Sequence, residues 1–261
     1  RLSLVGSEMC IRDRLIRVSY DGTAYSGWQI QPNATTVEGT LRQAVCSLFG
    51  ADIELIGASR TDAGVHALGN VAVFDVDTRI PAPKISYALN VRLPDDIRVW
   101  QSIQVEDGWH PRHNDCVKTY EYSIYNDTFK NPKKRLYSHF YYGNLDVNMM
   151  REAAAYFIGE HDFTAFCSAG SQVADKVRTI YSLDVIQDGR EIVLRVKGNG
   201  FLYNMVRIIA GTLIKAGTGD IRPQDIPGII ESRDRQLAGP TAPARGLTLV
   251  DIDYGNSLPA L

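Results

Sequence analysis

The stretch LIRVSYDGTAYSGWQIQPNATTVEGTLRQAVCSLFG, residues 15–50, changes its hydrophobic period part-way along. Leu15–Tyr20 alternates apolar and polar side chains, the period of two that belongs to a half-buried strand. A loop rich in Gly, Ser and Asn follows through Asn33. Thr35 and Glu38 then stand at the S/T-x-x-E spacing of a capping box. Behind them Val37, Leu41, Val45 and Leu48 recur at helical spacing until Gly50 stops the run. A strand that feeds an amphipathic helix is the first unit of a mixed helix-and-sheet fold.

Outward from that unit the pattern continues. Strands are predicted at Ile53–Ala58, Asn70–Val76 and Ile97–Val105, and Pro83 opens a short helix through Leu89. The first half therefore reads β-α-β-β-α-β. The second half follows a similar order. Val117–Tyr125 (VKTYEYSIY) alternates and is rich in strand formers, and Asn126–Arg135 is a polar, basic loop. Asp146 caps a helix carrying Met150, Ala153, Ala154 and Phe157, stopped by Gly159. Val177–Gln187 and Glu191–Lys197 flank the hairpin signal Asp188–Gly189. A helix runs over Phe201–Ala216, and Gly246–Tyr254 closes the chain as a strand. The fold class expected is α+β: two similar halves, 15–107 and 108–254, with mixed or antiparallel sheets joined side by side and a short tail at 255–261. Helices would cover one face of the joined sheets and the other face would offer a cleft between the halves, a favoured place for a ligand.

Composition narrows the classes further. The chain has 261 residues, enough for one large or two small cores, and no apolar run approaches the ~20 residues of a membrane-spanning helix. Its net charge of −2 neither favours nor excludes a polyanionic partner, since a local groove attracts phosphates whatever the global balance. Cys10, Cys46, Cys116 and Cys167 are scattered without a CxxC pair, which argues against a zinc site or a disulfide framework and suits reduced thiols in the cytoplasm. Residues 1–14 (RLSLVGSEMCIRDR) show no periodicity leading into the first strand, lack the features of a signal peptide, and look like a translated sequencing-adaptor fragment. They are expected to be irregular and to stand outside the fold.

The segment Arg60-Thr61-Asp62-Ala63-Gly64-Val65-His66-Ala67 concentrates an acid, two potential cations and a glycine between two predicted strands. Gly64 opens backbone conformations closed to other residues, so it is able to present Asp62 at an unusual angle. From spacing alone the commoner reading is a turn aspartate bonded to its own backbone, with Arg60 solvated and His66 structural. Aromatic faces at Tyr25 and Trp28 suit unpaired bases, although a packed Trp28 is commoner. Tyr120 and Tyr122 share one strand face, usually a mark of core. Arg207, among apolar residues of the second long helix, must either snorkel or pair with a buried carboxylate. The run Lys130, Lys133, Lys134 and Arg135 is most simply a solvated loop.

Five blocks, YDGTAYSGWQIQ, RTDAGVHA, KTYEYSIYN, NGFLYNMVRIIAGTL and APARGLTLVDIDY, resemble in order the tRNA pseudouridine synthase A family, and the likeness covers essentially all of 15–254. The resemblance implies that Asp62 is the catalytic aspartate and that Arg60 takes part in flipping the target nucleotide. It implies that Tyr120 stacks on the uracil and that Arg207 pairs with the catalytic carboxylate. It implies an isomerase acting on uridines at positions 38 to 40 of the tRNA anticodon arm, working as a homodimer without metal or cofactor. Arg112 and the loop Lys130, Lys133, Lys134 and Arg135 are expected to meet RNA. The segment His110-Pro111-Arg112-His113-Asn114 departs from the family, with Pro111 and His113 where a small and an aromatic residue are usual. Two other readings remain. A binding module that grips structured RNA needs Asp62 only as a turn residue, and an enzyme acting on a small metabolite needs no basic loop.

Overall fold

A computed structural model describes residues 12–171, 173–255 and 258. Among the described residues ten strands form one sheet. They are β1 (Arg12–Tyr20), β2 (Ile56–Gly57), β3 (His66–Val76), β4 (Ile97–Gln104), β5 (Val117–Asn126), β6 (His139–Tyr141), β7 (Gly159–Asp162), β8 (Val177–Asp188), β9 (Glu191–Gly198) and β10 (Leu247–Asp253). Their order is β4-β1-β3-β10-β5-β9-β8-β7, with β2 added to β3 and β6 to β5. Five α-helices accompany them: α1 (Val37–Phe49), α2 (Ala82–Asn90), α3 (Val147–Ala155), α4 (Met205–Gly217) and α5 (Ile226–Ser232). The two β-α-β-β-α-β-like halves expected from the sequence are thus present, fused edge to edge.

The fusion is made by the C-terminal strand. β10 runs parallel to β3, with Leu249 opposite Ala67, and antiparallel to β5, with Leu249 opposite Tyr120. Two strand spacings of about 4.8 Å therefore separate Tyr120 from Ala67, the residue that follows the RTDAGVH segment. Side-chain parity makes one face continuous across the seam: Ile16, Val18, Ala72 and Phe74 in the first half, Leu249 between, and Tyr120, Tyr122, Leu194 and Val196 in the second are all buried. One hydrophobic core runs through both halves. Each fully buried Leu or Ile in it contributes about 1.5–3 kcal/mol.

The helices lie on that same face. Phe49 at the end of α1 packs on Phe74, Ser86 of α2 bonds Ser102 of β4, and Arg151 of α3 bonds the Val185 carbonyl. In the second half the opposite face carries polar pairs such as Glu121–Arg195. Parity also sends the buried Tyr120 side chain to this helix-bearing face.

Local readings shift in physical detail. β1 begins at Arg12, so the irregular segment expected over 1–14 does not extend to its last three residues; the rest of that expectation lies outside the described residues. Thr36, not Thr35, caps α1 by accepting from the Gly39 amide, and Glu38 accepts from the Ile30 amide instead of closing a box. β3 starts four residues before the predicted Asn70, because an irregularity in its pairing with β1 hides the alternation. Among the described residues no helix is long and apolar enough to cross a membrane.

Candidate active site

Residues 58–65 run from β2 into β3 and cross the seam. Ser59 and Thr61 are buried: the Thr61 hydroxyl lies 2.7 Å from that of Tyr20, and the Ser59 hydroxyl 3.0 Å from that of Tyr120. Alternation then turns Arg60 and Asp62 away from that anchorage. The Val65 amide donates to the Asp62 carbonyl at 3.1 Å, closing a tight turn whose third residue, Gly64, has φ +77°. A β-carbon there would be strained. The YSGWQ loop locks the turn from outside, with the Trp28 amide donating to Thr61 O (3.0 Å) and the Gly64 amide to Tyr25 O (3.3 Å). Gly27 permits this approach. Its φ is +90°, and a β-carbon would lie 2.7 Å from Thr61 O. Trp28 is 1% exposed, so it is packing and not a free stacking face.

Arg207 arrives from the first turn of α4. Its Nη1 lies 3.1 Å from Asp62 Oδ2, with side-chain exposures of 17% and 24%, so the pair is largely but not wholly withdrawn from water. Nε donates to Ala242 O at 2.8 Å and Nη1 also donates to Asn204 Oδ1 at 2.7 Å. Burial pushes the Asp62 carboxyl above its ordinary value, while the Arg207 hydrogen bond and charge pull it back down. Tyr120 stands within electrostatic reach of Asp62. Burial pushes its phenol up to about 12, so it is neutral across the physiological range. Its ring packs edge-on against Phe201, 5.2 Å between centroids.

Three successive carbonyls before Asp62 are held by side chains from three elements. Arg112 Nε donates to Gly57 O (2.7 Å), Lys118 Nζ to Ala58 O (3.2 Å) and Asn70 Nδ2 to Ser59 O (3.0 Å). Burial lowers the pKa of Arg112, and repulsion from Arg60 adds to it. Lys118 is lowered by burial first, then by Arg112 and Arg178. Among the described residues, Arg60, Arg112, Lys118 and Arg178 make no ion pair with a carboxylate. A group of cations without ion-pair partners favours an anion.

The basic loop has partners of its own. Lys134 pairs with Glu191 at 2.7 Å, Lys130 sits 5.8 Å over the Phe140 ring, Arg135 bonds Pro132 O, and Lys133 is exposed. The loop is tied to the segment that carries Asp62. His66 accepts the Gly22 amide at Nδ1, which leaves Nε2 to donate to Leu136 O at 3.0 Å, and the Tyr137 hydroxyl donates to Asp21. His66, 5% exposed, is structural in this arrangement.

A family model described as tRNA pseudouridine synthase matches residues 16–114 and 153–255. The chain belongs to that family. It is 48% identical over 244 residues to tRNA pseudouridine synthase A of Acetivibrio thermocellus, covering 94% of this chain and 100% of that one. It is 49% identical over 240 residues to the protein of the same name from Ruminiclostridium cellulolyticum (92% and 98% covered) and 46% over 241 residues to that from Bacillus subtilis (92% and 98%). A solved archaeal box H/ACA sRNP Nop10-Cbf5 complex aligns at a TM-score of 0.36 and 12% identity, over 77% of this chain and 43% of that one, too slight a likeness to carry weight.

Within this tRNA pseudouridine synthase fold, then, Asp62, Arg207, Tyr120 and Arg112 gather at one seam with Arg60 beside Arg112, and the contacts of Lys130, Lys134 and Arg135 are made with other residues. Ser59, Lys118, Arg178 and Asn204 escaped the sequence reading. Lys118 carried a readable signal, since it precedes Tyr120 by two residues and shares its strand face. Asn204 lies one helical turn before Arg207, which is suggestive only once Arg207 is known to matter.

Proposed function

We propose that this chain isomerises uridine to pseudouridine at positions 38 to 40 of the tRNA anticodon arm, with Asp62 as nucleophile on a flipped-out nucleotide. Family membership makes it an isomerase acting on tRNA. The finer reading is carried by one observation: a carboxylate largely removed from water and held by a guanidinium, with a buried tyrosine in electrostatic reach.

The reaction breaks the N1–C1′ bond, turns the base and joins C5 to C1′. The proton leaves C5 and N1 gains one, so the formula is unchanged. Asp62 serves as the ionised nucleophile, at C6 of the ring or at C1′ of the ribose. Burial favours its neutral form, and the Arg207 guanidinium beside it offsets that effect. Extruding the nucleotide costs a few kcal/mol. Stacking on Tyr120 and occupation of the vacated space by Arg60 repay part of it. Arg112, Lys118 and Arg178 supply positive charge for neighbouring phosphates, and Lys130, Lys133, Lys134 and Arg135 meet the arm further out. A homodimer working in the cytoplasm without a metal or other cofactor, its two halves meeting near residue 107, belongs to the same reading.

Incubation with unmodified tRNA, followed by carbodiimide treatment and reverse transcription, tests it. Stops mapping to positions 38 to 40 are expected. Their absence, with modification elsewhere or none, would contradict the site assignment.

A further inference from the structure

Asn204 occupies the N-cap of α4 but does no capping. An N-cap asparagine ordinarily turns its side-chain oxygen onto a backbone amide of the first helical turn. Here there is no such bond, and the backbone adopts the left-handed conformation, φ 61° and ψ 7°, that few non-glycine residues take. The helix thus gives up a cap and tolerates strain at one residue. Strain of this kind clusters at functional sites.

The side chain is spent elsewhere. Its oxygen accepts from Arg207 Nη1 at 2.7 Å, and its amide nitrogen donates to the Ser168 hydroxyl at 2.9 Å. Ser168 is itself fixed, its amide donating to Tyr203 O at 3.1 Å. The Arg207 guanidinium is therefore held by two neutral acceptors, Ala242 O on Nε and Asn204 Oδ1 on Nη1. The remaining Nη1 proton is left for Asp62 Oδ2 at 3.1 Å. A carbonyl at this point directs the guanidinium without neutralising it. A carboxylate there would compete with Asp62 for the same charge.

We infer that Asn204 is a positioning residue: through Arg207 it keeps the Asp62 carboxylate ionised and aimed, and Ser168 keeps Asn204 itself in place. The inference rests on the reading of Asp62 as nucleophile. It identifies a residue in which neither local sequence nor capping preference explains what is seen.

The test compares single-turnover pseudouridine formation against pH for the wild-type enzyme, Asn204→Gly and Asn204→Asp, with Asp62→Asn run alongside. Glycine keeps the left-handed backbone and deletes the amide. Aspartate keeps size and turn tolerance but adds charge, so it folds even if glycine loosens the helix start. Losing a hydrogen bond to a charged group is expected to slow Asn204→Gly about tenfold, with tRNA affinity unchanged. The acid limb of the profile should move to higher pH in both variants, further in Asn204→Asp. Wild-type rates and limbs in both variants, or a rate loss fully accounted for by unfolded protein, would overturn the role of Asn204 while leaving Asp62 untouched. Turnover in Asp62→Asn would remove the nucleophile, and the positioning role with it.

Discussion

Asp62 is held between opposing effects at the residue scale. Removal from water favours its neutral form, Arg207 favours the charged one, and burial is the larger effect. In the proposed mechanism only the carboxylate attacks, so the rate should fall as pH drops through a value above the ordinary 3.8 of an aspartate. Arg207→Leu should move that limb higher still, and single-turnover rates between pH 4 and 8 measure it. A limb at or below the ordinary value would contradict the desolvated site. The sign carries over to stability. A carboxyl whose folded pKa is raised costs nothing below its unfolded pKa and its full penalty above its folded one. Asp62→Asn should therefore melt no lower than the wild type at neutral pH, as expected where a site is built for chemistry and not for stability.

At the scale of elements, the site is two loops and a helix start brought together by a strand. Gly27 is a point of close approach between the loops, and Gly27→Ala would place a β-carbon against the Thr61 carbonyl. A cost of about 1–3 kcal/mol is expected in thermal or denaturant melts, with a larger loss in kcat, because Asp62 follows Thr61. Unchanged kcat would show that the loops are not coupled. Element order was legible in the sequence because α1, β5, β8 and β9 have clean periods and punctuated ends. What was missed is short or compositionally disguised. β6 has three residues, and α5 has seven and carries Pro227 and Gly228 in its first turn. β7 begins at Gly159, which reads as a helix stop. Asp62 was legible only through its motif, since a turn aspartate looks the same in sequence. Asn204 was legible only as a residue one turn before Arg207, because the role proposed for it depends on a loop 142 residues away.

Over the whole molecule, β10 makes two half-sheets into one, and the seam it creates is where the charged groups gather. A chain of net charge −2 still presents Arg60, Arg112, Lys118 and Arg178 beside the seam with no ion-pair partner among the described residues. tRNA affinity should accordingly fall steeply with salt, and Lys118→Met should reduce the slope of log affinity against log salt by about one unit. An unaltered slope would place the phosphates elsewhere. The most direct test of the whole account is pseudouridine formation by Asp62→Asn on unmodified tRNA under single-turnover conditions. The prediction is a folded protein that binds tRNA like the wild type and reacts at least about 10³-fold more slowly. Turnover close to the wild-type rate would mean that the carboxylate at the seam is not the nucleophile.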